Sequence, residues 1–273
     1  YVGEWLNKDF DNATKEDIEM VICTLNQNKG YTENTKCDYR RVVKQFWKWL
    51  KGNGKHNPPE TEWIRRKNGK LTNRILTGDI ITKEEIEKLI AVCDNIRDKT
   101  FISFLYESGC RIAEALNIKL CDYKVNRQYA KVRVNGKTGE RFITIIASVP
   151  YINQLIACHP EQQNLDSYLW FSISNFKRNK PITYAGAKVL IKRIFKRAGL
   201  NKKCNPHIFR HSRATELAKH LTEVQMCLYF GWIIGSGQTK TYVHASGRDV
   251  DDAIFNYYGL KNKEESDKPK ANA

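Results

Sequence analysis

Apolar residues recur at helical intervals over most of this chain and at strand intervals in one short region. Ile18, Val21, Ile22 and Leu25 predict an amphipathic helix from about Lys15 to Asn28, stopped by Asn28-Lys29-Gly30. A second helix is predicted from Glu33 to Lys51. Val42, Val43, Phe46, Trp47 and Leu50 lie on one side of it, and Lys36, Arg40, Arg41, Lys44, Lys48 and Lys51 on the other. Periodicity then lapses. Residues 52–79 combine Gly52, Gly54, Pro58 and Pro59 with scattered cations, including Arg65 and Arg66, and read as a basic linker. Thr82-Lys83-Glu84-Glu85 is a capping box opening a helix that Ile86, Leu89, Ile90 and Cys93 continue. Another helix runs from Lys99 to Tyr106, Ser108-Gly109 breaks it, and a third starts near Arg111. The alternation Tyr129 to Val134, a turn over 135–139 and the run Arg141 to Ile146 predict a β-hairpin. Helical patterns return near 149–158, 184–198, 208–219, 222–230 and 238–257, with a charged tail after them and no internal repeat. The pattern predicts a mainly α protein with a small antiparallel β-sheet. Its parts are a helical domain over 1–77 with its basic linker, an α+β domain over 78–262, and a flexible tail over 263–273.

Composition narrows the function. Hydrophobic residues at 41% exclude a globally disordered chain. No run approaches the roughly 18 apolar residues of a membrane span. Tyr1 to Leu6 carries no basic leader before an apolar segment and no initiator Met, so the true N-terminus is expected to be missing or trimmed. Lys and Arg number 46 against 30 Asp and Glu, a net charge of +16 that calls for a polyanionic partner, nucleic acid first. None of the eight cysteines forms a Cys-x-x-Cys pair or zinc-finger spacing, so they read as reduced, mostly buried small hydrophobes of a cytoplasmic protein.

The charge is unevenly placed. The row on the 33–51 helix holds one acid, Asp38, against six bases. Residues 177–203 hold ten Lys or Arg and no acid. Within them Val189, Ile191, Ile194 and Phe195 give a basic helix its buried side and leave Lys188, Lys192, Arg193 and Lys196 outward. Both rows are expected to lie along a phosphate backbone, and the alternative is an ordinary solvated face.

Candidate chemistry follows from residues far apart in the chain. Ser108-Gly109-Cys110-Arg111 places an arginine after a Gly-broken helix, with Glu114 three residues on. Lys137 sits in the hairpin turn. His207-Ile208-Phe209-Arg210-His211, then Phe230-Gly231-Trp232, then Thr241-Tyr242-Val243-His244 complete the series. The ordered set Arg111, Lys137, His207, Arg210, Trp232, Tyr242 resembles the active-site signature of the tyrosine recombinases, the phage-integrase family. The string Tyr242 to Asp251 is similar to that of archaeal members.

The residue types suit phosphodiester transfer. Two guanidiniums give planar forks for the oxygens of a pentacoordinate phosphorus, and such fixed donors are commonly the largest catalytic contribution. Glu114 can buttress Arg111. Tyr242 is the candidate nucleophile, a phenol with an ordinary pKa near 10 that needs a cationic site. Tyr229, Tyr257 and Tyr258 are rivals, with Tyr258 better suited to packing. The resemblance implies that Lys137 protonates the departing 5′-oxygen, with Lys131 as a weaker rival, and that His211 is supporting shell. His207 can donate to the phosphate or take the phenol proton. Trp232 stands where His is commoner, and its indole N–H can only donate. No metal or other cofactor is expected, since the cations supply the charge a metal would bring.

The resemblance implies a core-binding domain over 1–77 and a catalytic domain over 78–262. It further implies a site-specific recombinase of DNA that passes through a 3′-phosphotyrosyl link without ATP, in integration or excision of a virus or plasmid, with chromosome-dimer resolution open to the same chemistry. It also implies a tetramer on DNA held through the 249–260 segment, where Val250, Ala253, Ile254, Tyr257 and Tyr258 share a side. The alternatives are a type IB topoisomerase-like nicking-closing enzyme and a catalytically silent DNA-binding protein.

Overall fold

The apolar stripes of the first two long helices face each other, and the stripes further along the chain build a second, larger core. The computed structural model describes residues 2–52, 54–65, 80–173, 180–243 and 258. The chain divides into two compact units, Tyr1–Asn73 and Arg74–Ala273.

The first unit holds α1 (Val2–Leu6), α2 (Lys15–Gln27), α3 (Glu33–Leu50) and α4 (Pro59–Glu62). Thr14 caps α2: its N–H donates to Asp17 Oδ2 at 2.8 Å, and its hydroxyl accepts from Asp17 N at 3.4 Å. Ile18, Val21, Ile22 and Leu25 of α2 pack on Val43 and Trp47 of α3 and on Ile64. The buried side of α3 is narrower than its sequence suggests, because Val42 is 56% exposed. The expected linker also starts later. α4 lies within it, Thr61 and Ile64 are buried, and Arg65 is exposed. Arg66 and the rest of the stretch to residue 79 lie outside the described residues.

The cation row of α3 is the larger correction. Lys36 and Arg40 are buried, not solvent-facing. Lys36 Nζ donates to the Asn26 carbonyl at 2.7 Å, and Arg40 Nη2 donates to the Asn26 side-chain oxygen. Lys44 Nζ donates to the carbonyls of Glu62 and Ile64 at 3.0 and 3.2 Å, and Lys51 Nζ to that of Ala13 at 3.1 Å. Asn26 and Glu62 stand in the last turns of α2 and α4, where helix carbonyls lack intrahelical partners and the helix dipole favours cations. Arg41 stays outward beside Asp38, and Lys48 is half-buried.

In the second unit Thr82 and Glu85 form the predicted capping box of α5 (Lys83–Ala91). α6 (Ile96–Ser108) follows its Asn95 cap, starts three residues before the periodicity announced it, and runs through the core with Phe101, Ile102, Phe104 and Leu105 all buried. Such all-round burial hides a helix from amphipathicity. α7 (Ile112–Leu116) leads to a three-stranded antiparallel sheet of β1 (Tyr123–Val125), β2 (Ala130–Gly136) and β3 (Gly139–Ile145), in that order. Gly136 pairs with Gly139, so Lys137-Thr138 is the whole turn and the strands run closer to it than predicted. Ala130, Val132, Val134, Ile143 and Ile145 point into the core. β1, three residues long, has no pattern to announce it.

α8 (Val149–Ala157), α9 (Tyr184–Arg197), α10 (His207–Leu217), α11 (Glu223–Phe230) and α12 (Gln238–Val243) complete the described unit. On α9 the buried set is Ala187, Leu190, Ile191, Ile194 and Phe195, while Val189 is 69% exposed, against the expectation. Of the eight cysteines only Cys93, Cys110 and Cys227 are buried, and all eight are unpaired thiols, so the reading of mostly buried cysteines is corrected. The architecture is mainly helical with one small antiparallel sheet.

Candidate active site

The C-terminal end of α11 collects the guanidiniums of this site. A helix leaves its last four carbonyls without intrahelical partners, and they carry the negative end of the helix dipole. Here three consecutive carbonyls are occupied. That of Tyr229 accepts from Arg141 Nε at 2.9 Å, and that of Phe230 from Arg210 Nη2 at 2.7 Å. The Gly231 carbonyl accepts from Thr138 Oγ1 at 3.1 Å, with Arg111 Nη2 at 3.5 Å. Gly231 is the left-handed C-cap of α11, at φ 60°. The backbone turn there favours glycine, and a Cβ would lie 2.9 Å from Arg141 Nη1, so a larger residue would also push that guanidinium aside.

Arg111 precedes α7 and leans on its own helix. Its Nη1 donates to Glu114 Oε1 at 2.8 Å and its backbone N–H to Glu114 Oε2 at 3.0 Å. Its side chain remains 28% exposed, which leaves it able to meet a ligand. Arg210 is buried. Its Nη1 donates to the Gly109 carbonyl at 3.0 Å, and its guanidinium lies 5.1 and 5.3 Å from the ring centres of Phe230 and Trp232. Gly109 is the left-handed C-cap of α6, so the break read in the sequence also supplies Arg210 with an anchor. Burial, then the charge of Arg111, pulls the Arg210 pKa down to about 10, which leaves it protonated at neutral pH. Burial raises Glu114, but Arg141 and Arg111 outweigh it and hold the carboxyl below its usual range.

Tyr242 on α12 is buried. Its ring stacks on Trp232 at 5.3 Å and 10°, and Trp232 stacks on Phe230 at 4.8 Å. Its hydroxyl lies 2.6 Å from Nδ1 of His211. Burial raises the phenol pKa, and Arg210 pulls it back. His207 opens α10, one turn before His211, with ring centres 6.4 Å apart. His207 is exposed, yet desolvation by its neighbours, then Arg210 and Arg111, lowers its pKa, so the ring is neutral near pH 7. Lys137 is exposed at the hairpin turn, beside the Thr138 that ties that turn to Gly231.

The fold thus brings Arg111, His207, Arg210, Trp232 and Tyr242, with Glu114 and His211, into one cluster reached by the Lys137 hairpin. Of the rival tyrosines, Tyr229 is half-buried and its hydroxyl donates to the Glu107 carbonyl at 3.0 Å, with desolvation pushing its pKa up to about 12. Tyr258 is 70% exposed, and Tyr257 lies outside the described residues. Lys131 is exposed on β2. Lys188, Lys192, Arg193 and Lys196 are all exposed on α9 as expected, and Arg193 also donates to Asp98 Oδ2 at 2.8 Å. Apart from Tyr258, the 249–260 segment lies outside the described residues.

The residue that sequence reasoning missed is Arg141. Both its η nitrogens meet Glu114, at 3.2 and 2.8 Å. A signal for it existed. Arg141 belongs with Ile143 and Ile145 in the inward-facing, period-two set of β3, an unusual place for a cation.

Comparison with known proteins gives this constellation its relatives. The sequence model of the phage integrase family matches residues 79–247. A tyrosine recombinase of Thermosipho africanus (strain TCF52B) is 25% identical over 264 residues, 93% of this chain and 87% of the relative. The tyrosine recombinase XerA of Pyrococcus horikoshii is 25% identical over 254 residues, 92% of this chain and 84% of the relative. Among solved structures, XerH recombinase in its post-cleavage complex with a palindromic difH substrate superposes with a TM-score of 0.68 at 19% identity, covering 93% of this chain and 76% of that one. A lambda integrase dimer bound to a COC′ core site gives 0.63 at 15%, covering 88% and 67%.

Proposed function

This chain belongs to the phage integrase family, and from that premise we propose that it is a site-specific DNA recombinase with Tyr242 as its nucleophile. The observation that carries the reading is the cluster itself: a buried tyrosine hydroxyl against an imidazole, beside Arg210 anchored on two neutral carbonyls and Arg111 braced by Glu114 with an exposed edge. Arg210 meets carbonyls and keeps its full charge, and the single carboxylate of Glu114 is shared by Arg111 and Arg141, so a phosphate entering the cluster still meets net positive charge.

Tyr242 Oη attacks the scissile phosphorus and its proton passes to His211, the ring its hydroxyl meets. The P–O5′ bond breaks, and Lys137 gives a proton to the departing oxygen. Arg111 and Arg210 hold the phosphate oxygens as charge develops on them, and His207, neutral near pH 7, donates a further hydrogen bond. Trp232 packs against both the nucleophile's ring and the Arg210 guanidinium. The phosphotyrosyl link stores the bond energy, so a second DNA 5′-hydroxyl can reverse the step without ATP.

Residues 1–77 then serve as a core-binding domain and 78–262 as the catalytic one. Arg41, Lys48 and Arg65 on the first and Lys188, Lys192 and Lys196 on the second meet phosphates. The 249–260 segment docks on a neighbouring copy to make the working tetramer, and the protein acts on viral or plasmid DNA inside the cell. The XerH and lambda integrase complexes with DNA support DNA as substrate, and a lambda integrase tetramer on a Holliday junction supports the assembly.

The test is a nicked suicide DNA carrying the recombination site. Wild-type protein is expected to form a covalent adduct that Tyr242→Phe abolishes, and intact partner sites should yield strand-exchanged products. Absence of an adduct from the wild type overturns the enzyme reading. Supercoil relaxation without exchanged products favours the topoisomerase-like alternative.

A further inference from the structure

Arg141 lies on β3, four residues beyond the hairpin lysine, and its side chain is 10% exposed. Three of the five guanidinium N–H groups are accounted for: Nε on the Tyr229 carbonyl, Nη1 and Nη2 on the two Glu114 oxygens. Arg111 keeps an exposed edge for phosphate. Arg141, by contrast, is turned wholly onto protein. Closer to the turn, Thr138 makes the hairpin's other tie to the same helix end, at the Gly231 carbonyl. Lys137 sits next to that tie, in a turn of only two residues that leaves little slack. Wherever Arg141 and Thr138 set the hairpin, the base of the Lys137 side chain is set with it.

We propose that Arg141 is a positioning residue that docks the β2–β3 hairpin on the end of α11, so that Lys137 reaches the departing 5′-oxygen. The proposal rests on the recombinase reading above. It names a residue outside the catalytic set and separates two routes by which Arg141 could matter. One runs through the hairpin to Lys137. The other runs through Glu114 to Arg111, since Glu114 Oε1 accepts from both arginines.

The two routes respond differently to the leaving group. With ordinary DNA, Oη–P forms, P–O5′ breaks, and O5′ takes its proton from Lys137 Nζ. With sulfur in place of the bridging 5′-oxygen the leaving group departs as a thiolate, whose conjugate acid has a pKa of about 8.5 and which needs no proton donor. Adduct formation would be timed on suicide DNA of both kinds for wild type, Lys137→Ala, Arg141→Ala, Arg141→Lys and Thr138→Val. Lys137→Ala should be slow on oxygen and restored on sulfur. Arg141→Ala should behave the same way, about 100-fold slower on oxygen, the scale of a 1 Å misplacement, and close to wild type on sulfur. Arg141→Lys keeps the charge but loses the fork, and should not rescue. Thr138→Val removes only the second tie, from an exposed position, and should show the same selectivity at a few-fold. It carries the test if the Arg141 variants fail to fold.

Equal slowing of Arg141→Ala on both substrates, beside a rescued Lys137→Ala, overturns this proposal alone and assigns Arg141 to the Arg111 route. A Lys137→Ala that sulfur does not restore overturns the proton-donor role and this proposal with it. A wild type inert on both substrates overturns the recombinase reading itself.

Discussion

Two basic helices, α3 and α9, look alike in sequence and do different things in the fold. On α3 and its C-cap, Lys36, Arg40, Lys44 and Lys51 turn inward onto carbonyl and side-chain amide oxygens of their own unit, and Lys36 and Lys51 also pair with Glu33 and Glu60. On α9, Lys188, Lys192 and Lys196 face outward, while Arg193 and Arg197 reach Asp98 and Asp94. The scarcity of acids near each row misled for two reasons. A cation can be satisfied by a neutral carbonyl, which no count of charges records. It can also be paired with an acid about a hundred residues away, as Arg193 and Arg197 are. Local charge balance therefore measures neither the freedom nor the commitment of a cation. The active site repeats the α3 device at α11, where Arg141, Arg210 and Arg111 meet carbonyls, with one change: Arg111 keeps an exposed edge.

The comparison is sharpest at Arg210, whose carbonyl anchors leave it in the catalytic cluster. Arg210→Ala is expected to slow adduct formation by about 100- to 1,000-fold, the usual cost of losing one oxyanion-stabilising donor. Binding of uncut DNA should change far less. A rate near wild type would place Arg210 with the committed cations of α3.

Arg40→Ala tests the other side. Loss of a buried, charge-assisted hydrogen bond should lower stability by about 2 kcal/mol in denaturant unfolding. The salt dependence of DNA binding should not change. A flatter salt slope with unchanged stability would return Arg40 to the DNA-facing set. The triple change of Lys188, Lys192 and Lys196 to Ala should do the reverse. The slope of log K against log salt should flatten by about 0.9 for each phosphate that is no longer neutralised, with stability held to within about 0.5 kcal/mol.

The smallest effect concerns His207. Its folded pKa is lowered, so the unfolded chain takes up the proton more readily. The stability held above the unfolded value is therefore lost as pH falls below about 6.5 and through the folded value. His207→Gln should flatten that part of the stability–pH profile, measured by urea unfolding at about pH 7 and about pH 5.5. An unchanged profile would remove His207 from the desolvated part of the site.

Much of the larger core was legible because its elements carry local signatures. Thr82 with Glu85 announced α5, the alternation around Val132 announced the hairpin, and the break at Gly109 announced Arg111. The start of α6 was not legible, since a helix buried on every side has no stripe. α4 was hidden among prolines and glycines that resemble a linker. At the site, the side chains proposed to face phosphate were readable by type and order. The parts that hold them were not: carbonyls have no letter in the sequence, and Arg141 showed only as a cation on the inward phase of a strand.

The α11 carbonyls also order events as the chain is made. Gly231 is synthesised 120 residues after Arg111 and 93 after Thr138, and Phe230 is synthesised 20 after Arg210. Domains fold as units behind the ribosome, and these hydrogen bonds close only when that helix has emerged. A growing chain already carrying Arg111, the hairpin and Arg210 therefore lacks these carbonyl ties, and the proposed catalytic cluster is complete only with the last turn of α11 and Tyr242.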